Sequence, residues 1–289
     1  MTTGSAGISF RKDELIRKGL SGGVFIAPYG SAAISLTNLF DPTTGALQNP
    51  LPSGYRDLGF LSSAGAVFAR SVKTTDIASW QSDSPTRTDI TSDTTTLTIE
   101  PQETNQGTIS LYLALSTPPT PGSNGAFSVT RPAVEIPNYW RVLALAVDNN
   151  AYGEIVYARF LPRALVTAYA SQAMANASDP IEYGVTITGY LDSVLGSPEI
   201  YFWGGEGLPS LQVDMGFGRT VTCSTTSASA TLTATTGSFY PNDVGAVVAG
   251  TGITVGTTIL SVTNATTAVM SAPATATGAS IAVAIAGEA

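Results

Sequence analysis

The stretch from Tyr55 to Leu115 constrains the fold more tightly than any other part of the chain. Thr94 to Glu100 alternates cleanly, Leu97 and Ile99 against Thr96 and Thr98, which is the pattern of a strand with one buried face. Pro101 ends it, having no N–H to give to a ladder. Upstream, Val67 to Trp80 is strand-like: Val67, Ala69, Val72 and Ile77 sit among polar partners, with an irregularity predicted near Lys73 to Asp76. Between these strands Asp83, Asp89 and Asp93, with Pro85, read as an acidic loop. Downstream, Gln102 to Leu115 carries Ile109, Leu111, Tyr112, Leu113 and Leu115, after Thr104 and Asn105 as possible helix caps. Gly107 weakens that helix without cancelling it.

The remaining pattern is also β-rich. Gly22 to Phe40 combines a β-like apolar piece with Pro28 and Gly30 as turn formers. Asp41 to Arg56 holds three prolines and two glycines and reads as an exposed loop. Ser116 to Asn124 is a second loop, and Ala126 to Arg131 a short strand. Tyr139 to Val147 is a strand closed by the turn Asp148 to Gly153. Its antiparallel partner is Glu154 to Tyr169, interrupted by Pro162 at an edge or bulge. Pro180 to Asp192 alternates again, and Glu199 to Trp203 is a last short strand. These elements predict two sheets face to face with one packed helix. At the start, Met1 to Gly7 is small and polar. Arg11 to Leu20 reads either as a short helix ending at Gly19 or as a charged arm ordered by a neighbouring subunit.

From Thr220 onward Thr, Ala, Ser, Gly and Val dominate, and the only charges are Asp243 and Glu288. Val, Ile and Leu recur there at alternating positions, which a solvated linker would not need. The boundaries that follow are an arm over 1–20, a main β-domain over 21–217 and a small all-β module over 218–289.

The chemistry of the chain is defined largely by what it lacks. Among 289 residues there is no histidine, which removes the commonest general base and the commonest zinc ligand. Thirteen Lys and Arg against 21 Asp and Glu give a net charge of −8, which argues against wrapping nucleic acid through a basic surface. The single cysteine, Cys223, permits no intrachain disulfide and reads as a small buried side chain. The N-terminus has no signal-peptide core, and no run approaches the roughly 18 apolar residues of a membrane span. Gly19 to Gly23 matches the G-x-S-x-G spacing around Ser21, but a charged segment precedes it and no histidine follows, so a flexible turn is the better reading. Asp76, Asp83, Asp89 and Asp93 match no calcium-loop spacing. Asn176 to Ser178 and Asn264 to Thr266 fit the short glycosylation pattern, without other signs of secretion. Trp80, Trp140 and Trp203 lie in or beside strands and read as core or interface residues rather than a sugar platform. The glycines at Gly250 and Gly252 lack the lysine of a phosphate loop. The sequence therefore supplies no catalytic, cofactor-binding or metal-binding residues, and an enzyme is not expected; a glycosidase using paired carboxylates finds no pair.

Four stretches together resemble the major tail tube proteins of long, non-contractile-tailed (siphovirus-type) bacteriophages. They are Asp57 to Gly65 (DLGFLSSAG), Asp76 to Gln81 (DIASWQ), Thr96 to Asn105 (TLTIEPQETN), and Ile187 to Ser193 (ITGYLDS) followed by Tyr201, Phe202 and Trp203. The resemblance covers Gly19 to Met215. It implies a mainly β fold: a β-sandwich or half-barrel flanked by one α-helix, with the C-terminal residues as an appended immunoglobulin-like or related β-module on the tube exterior. It also implies a homo-oligomer of hexameric rings stacked into a tube, with DNA passing through an acidic lumen without specific binding and no membrane insertion. Stacking would involve Met1 to Leu20 and Asp41 to Arg56. The implied partners are a tape measure protein and the tail terminator and tip proteins, and the implied location is the virion after assembly in the host cytoplasm. By position, Tyr55 to Leu115 would join the inter-subunit sheet, its acidic segment meeting the tube or facing the lumen. The competing reading is a carbohydrate- or cell-surface-binding fibre or decoration protein.

Overall fold

The computed structural model describes residues 12–131, 136–175 and 180–287, and it is mainly β. The chain divides into two compact units. One comprises Gly19–Val147 and Val156–Gly204; the other comprises Met1–Lys18, Asp148–Ile155 and Gly205–Ala289.

The first unit is built on a single eight-stranded sheet bent into a half-barrel. Its strands are β1 (Ser21–Pro28), β2 (Arg56–Asp57), β3 (Val67–Ser79), β4 (Ser82–Ile99), β5 (Trp140–Asn150), β6 (Gly153–Tyr169), β7 (Val185–Gly189) and β8 (Ile200–Gly204). They lie in the order β2-β1-β5-β6-β7-β4-β3, with β8 also paired to β6. Within strand β5, Val142 to Val147 reads as a continuous apolar run because both faces are covered there. Val142 and Ala144 join Val24, Ile26, Leu97, Ile99 and Ile187 on one face, against Leu111 of a short helix. Leu143 and Leu145 join Val156, Ala158, Phe160 and Phe202 on the other, beneath Ile34, Leu39 and Phe40.

Two short helices complete these layers: α1 (Leu36–Leu39) and α2 (Gln106–Tyr112). Asn105 is the N-cap of α2, its Oδ1 accepting from the Thr108 N–H at 2.9 Å. The helix is shorter than the sequence pattern predicts. Ala114 takes φ 51°, and the Leu115 N–H folds back onto the Ser110 carbonyl, so the chain leaves the helix before its last apolar residues.

Several expectations change. Among the described residues, no second sheet faces the first within this unit; loops and helices pack on its two faces instead. The proline-rich stretch after α1 is not simply an exposed loop, because Leu47, Leu51 and Tyr55 pack onto the second core face. Among the described residues, Ala126 to Arg131 takes no strand conformation and is largely exposed. At Pro162 the predicted irregularity is real. Leu161 and Ala164, three residues apart, share one core face, so the alternation slips by one there. The slip falls where that side of β6 changes partner, from β8 at Phe160 to β7 at Ala164.

The turn joining β7 to β8 is organised by Asp192, whose Oδ1 accepts from the N–H groups of Val194 (2.8 Å) and Leu195 (3.0 Å). Burial by itself would push this carboxyl up. The Leu195 and Val194 N–H groups, the Tyr29 hydroxyl and the Arg141 charge outweigh it and hold the carboxyl below the ordinary 3.8. A depressed carboxylate stabilises the fold above its unfolded value and loses that contribution as the pH falls through its folded value. Asp192→Ala should therefore cost about 1–3 kcal/mol at neutral pH. The deficit relative to wild type should shrink below about pH 4, as measured by urea unfolding across pH.

The second unit contains β9 (Arg219–Thr225), β10 (Thr231–Thr236), β11 (Val248–Ala249), β12 (Ile259–Asn264), β13 (Thr267–Met270) and β14 (Gly278–Ile285). They form one sheet in the order β11-β14-β9-β10-β13-β12. Its two end strands then meet: Val247 bridges Thr258, the Gly245 and Val248 N–H groups donate to the Ile259 and Thr257 carbonyls, and the Ile259 N–H donates to the Ala246 carbonyl. The result is a closed six-stranded barrel around Val221, Cys223, Leu232, Phe239, Ile259 and Met270, rather than the two facing sheets of an immunoglobulin sandwich. Closure removes the unpaired edges that an open sheet of this size would expose. Of the helix expected over Arg11 to Leu20, the described residues of this unit, 12–18, carry only a 3-10 turn at Asp13–Leu15, and Lys12 Nζ reaches Asp214 at 2.9 Å. The first eleven residues of the expected arm lie outside the described residues.

Candidate assembly surface

Beyond the last pairing of β4 with β7, at Thr96, strands β3 and β4 continue as a two-stranded ribbon. The segment from Asp83 to Asp93 is therefore strand, not loop. Nearly every residue between Arg70 and Asp93 is exposed, including Val72, Ile77 and Ile90. Pro85 is tolerated because the ladder is irregular near the tip, between the pairs Ile77–Arg87 and Ser79–Ser82. Trp80 stands in the terminal turn, 98% exposed.

The ribbon's root is clamped by a polar and aromatic network. Arg70 grips Asp93 with two guanidinium nitrogens, and this pairing holds the exposed Asp93 carboxyl below its usual range. Arg159 on β6 lies 3.7 Å from the Phe68 ring centre, and its Nε donates to Glu199 Oε1 at 2.6 Å. Glu199 Oε2 accepts from Thr95 and from the Tyr201 hydroxyl, each at 3.0 Å. Burial, and then the Glu199 carboxylate, push the Tyr201 hydroxyl upward. Residues from β3, β4, β6 and β8 thus fix the direction in which the ribbon leaves the sheet.

Where Phe60 to Ser62 run along the end of β4, Leu61 bridging Pro101, lies a groove of about 560 Å³ beside the N-terminal half of β1. Leu20, Phe60 and Leu61 supply its apolar surface, Gly22 and Gly23 line its β1 side, and Gly65, where a Cβ would meet nothing within 4 Å, leaves it open. Phe60 is 78% exposed and its N–H donates to Glu103 Oε1 at 2.8 Å. The preceding Gly59 has φ +80°, and a Cβ there would lie 2.1 Å from the Glu103 carboxyl carbon, so only glycine permits this bend. Strand β2 covers β1 only at Phe25 and Ile26, with the Leu58 N–H reaching the Val24 carbonyl.

The residues singled out in the sequence are not brought together into a chemical site. Ser21 opens β1 in extended conformation rather than sitting on a strand-to-helix elbow. Asp93 and Asp89 pair with Arg70 and Arg87, and Asp76 accepts from Thr88. Among the described residues, no cluster of three or more carboxylates or thiols could hold a metal, and no helix is long and apolar enough to cross a membrane. Cys223 is buried, and desolvation pushes its thiol up to about 11. Trp140 is core, and Trp203 stacks on Tyr201 at 5.9 Å. Asn176 to Ser178 lies outside the described residues, whereas Asn264 ends β12 and accepts from the Thr266 N–H. The groove was missed in the sequence, although the glycines of Gly19 to Gly23 and Gly59 to Gly65 were its available signal.

None of the curated proteins compared with the chain matches it. Residues 10–203 match the family model described as phage tail tube protein, a span that takes in the ribbon, its clamp and all but the last residue of the eight-stranded sheet. The chain belongs to the phage tail tube protein family.

Proposed function

We propose that the chain self-assembles into stacked hexameric rings that form the tube of a long, non-contractile phage tail and conduct DNA to the host. Membership of the family gives it a structural role in the tail of a phage particle. The observation that supports the finer reading is the β3–β4 ribbon. A two-stranded ribbon is marginal in water without a packing partner, and this one carries exposed Val72, Ile77, Ile90 and Trp80. A repeated assembly of identical subunits supplies such a partner. An excess of acid over base, 21 against 13, suits a conduit past which phosphates slide without being held. The role needs no catalytic residues and no cofactor. The other tail components, a tape measure and terminator and tip proteins, would meet the ends and interior of the tube, which is assembled in the host cytoplasm. Negative-stain electron microscopy of concentrated protein should show rings or tubes; a chain that stays monomeric under every assembly condition would remove the proposal.

The C-terminal barrel is assigned to the outside of the tube, over residues 218–289, because a closed barrel offers no edge for sheet extension. A chain ending at Gly218 should still form tubes of the same inner diameter, thinner by the lost module. Failure of that truncated chain to assemble while it remains folded would place the barrel within the contacts instead.

A further inference from the structure

We infer that the groove beside β1 is the receptor for the ribbon tip of a second copy of this chain, with Trp80 as the inserted side chain. This rests on the self-assembly reading above. The occupant follows from geometry. Strand β3 starts at Val67, immediately after Gly65 and Ala66 in the groove wall, and runs thirteen residues to Ser79. At about 3.3 Å per residue its tip lies about 40 Å from its own groove. Trp80 therefore cannot fill the groove of its own subunit, and the base of one ribbon is left to receive the tip of another.

The two surfaces match in kind. An indole buries about 150–250 Å² and needs an apolar recess with room for its ring. The groove has that room, at about 560 Å³, and flanks it with Leu20, Phe60 and Leu61. Its glycines let a backbone turn approach closely, as Ser79 to Ser82 would have to do. The start of β1 adds backbone: β2 pairs with it only at Phe25 and Ile26, with the Leu58 N–H on the Val24 carbonyl, so Ser21 to Gly23 lie beyond the reach of β2. Tip-to-base docking is heterologous, each copy using two different surfaces, so it propagates. Its repeat is set by the ribbon at about 40 Å per step.

Mixed-cysteine pairing in the full chain tests this. A Trp80→Cys chain and a Phe60→Cys chain, combined under assembly conditions and mildly oxidised, should give a disulfide-linked dimer. Trp80→Cys with Val255→Cys, a fully exposed control in the barrel, should not. Phe60→Cys should react with a maleimide in dilute monomer and become protected on assembly. Trp80→Ala, at a position with no role in the core, should fold normally and raise the concentration needed for assembly by about thirtyfold or more. Assembly of wild type, with no disulfide-linked dimer from the Trp80→Cys and Phe60→Cys chains and an unchanged threshold for Trp80→Ala, would overturn the docking while leaving self-assembly intact. Phe60→Cys already protected in the monomer would also overturn it, because the chain's own first residues would then occupy the groove. If wild type never assembles, both readings fail together.

Discussion

Asp243→Ala is expected to destabilise the C-terminal barrel by about 3–5 kcal/mol, the cost of leaving one buried charge without its partner. Arg219 opens β9 and Asp243 ends the 3-10 turn Pro241–Asp243; both side chains are almost fully buried. The Asp243 carboxylate binds the Arg219 guanidinium and accepts from the Tyr240 N–H at 2.7 Å. Arg219 Nη1 also donates to the Ser238 carbonyl at 2.7 Å, while its Nε is buried without a partner. Removing the carboxylate leaves that cation with one carbonyl and the face of Tyr240, at 4.9 Å. Burial raises the Asp243 carboxyl, against the pull of Tyr240 and Arg219. A raised carboxyl in the fold means that its contribution is greatest below the ordinary 3.8 and declines as the pH rises through the folded value, the opposite sense to Asp192. Cys223 provides the readout: it is fully buried in this barrel and in no other unit, so pulsed thiol labelling in urea reports barrel opening alone. An unchanged labelling midpoint for Asp243→Ala would show that the pair carries none of the barrel's stability.

The second large effect is on assembly. Joining Val72 to Asp93, which face each other across the ladder, through an Asn-Gly turn removes Lys73 to Ser92. The excised residues contribute nothing to any of the core clusters, and the clamp of Arg70, Asp93, Thr95, Arg159 and Glu199 stays in place. The shortened chain should keep the unfolding transition of the wild type to within about 1 kcal/mol, as expected for surface changes. It should form no rings or tubes at concentrations where wild type does. Sedimentation velocity with matched circular dichroism separates the two outcomes, and tubes of normal repeat from the shortened chain would show that the ribbon is dispensable.

These elements also show where sequence was informative. Thr94 to Glu100 was readable because one face is buried and its alternation records that burial. The neighbouring Asp83 to Asp93 belongs to the same strand, yet both of its faces meet solvent, so no period of two is written into it, and Pro85 added a misleading break. The same logic works in reverse for Val142 to Val147, whose unbroken apolar run reflects two covered faces. Asn105 was legible as a cap because its side chain acts within three residues. The groove depends on residues 19–24, 59–66 and 145–146 meeting, which no local pattern encodes. Neither does closure of the barrel, which rests on Val247 meeting Thr258 and on backbone bonds that any side chains allow.

That closed barrel has a consequence for how such a module can be moved between proteins. Its first and last strands are neighbours, and Arg219 lies directly opposite Ile285. The points where the chain enters and leaves are therefore about 5 Å apart, one interstrand spacing. A surface loop of an unrelated host need open by only that much to accept the module as an internal insertion, with no long linkers and no strain on the host's own strands. Such a graft would have to carry Val213 along, because that side chain packs into the barrel core from ahead of β9.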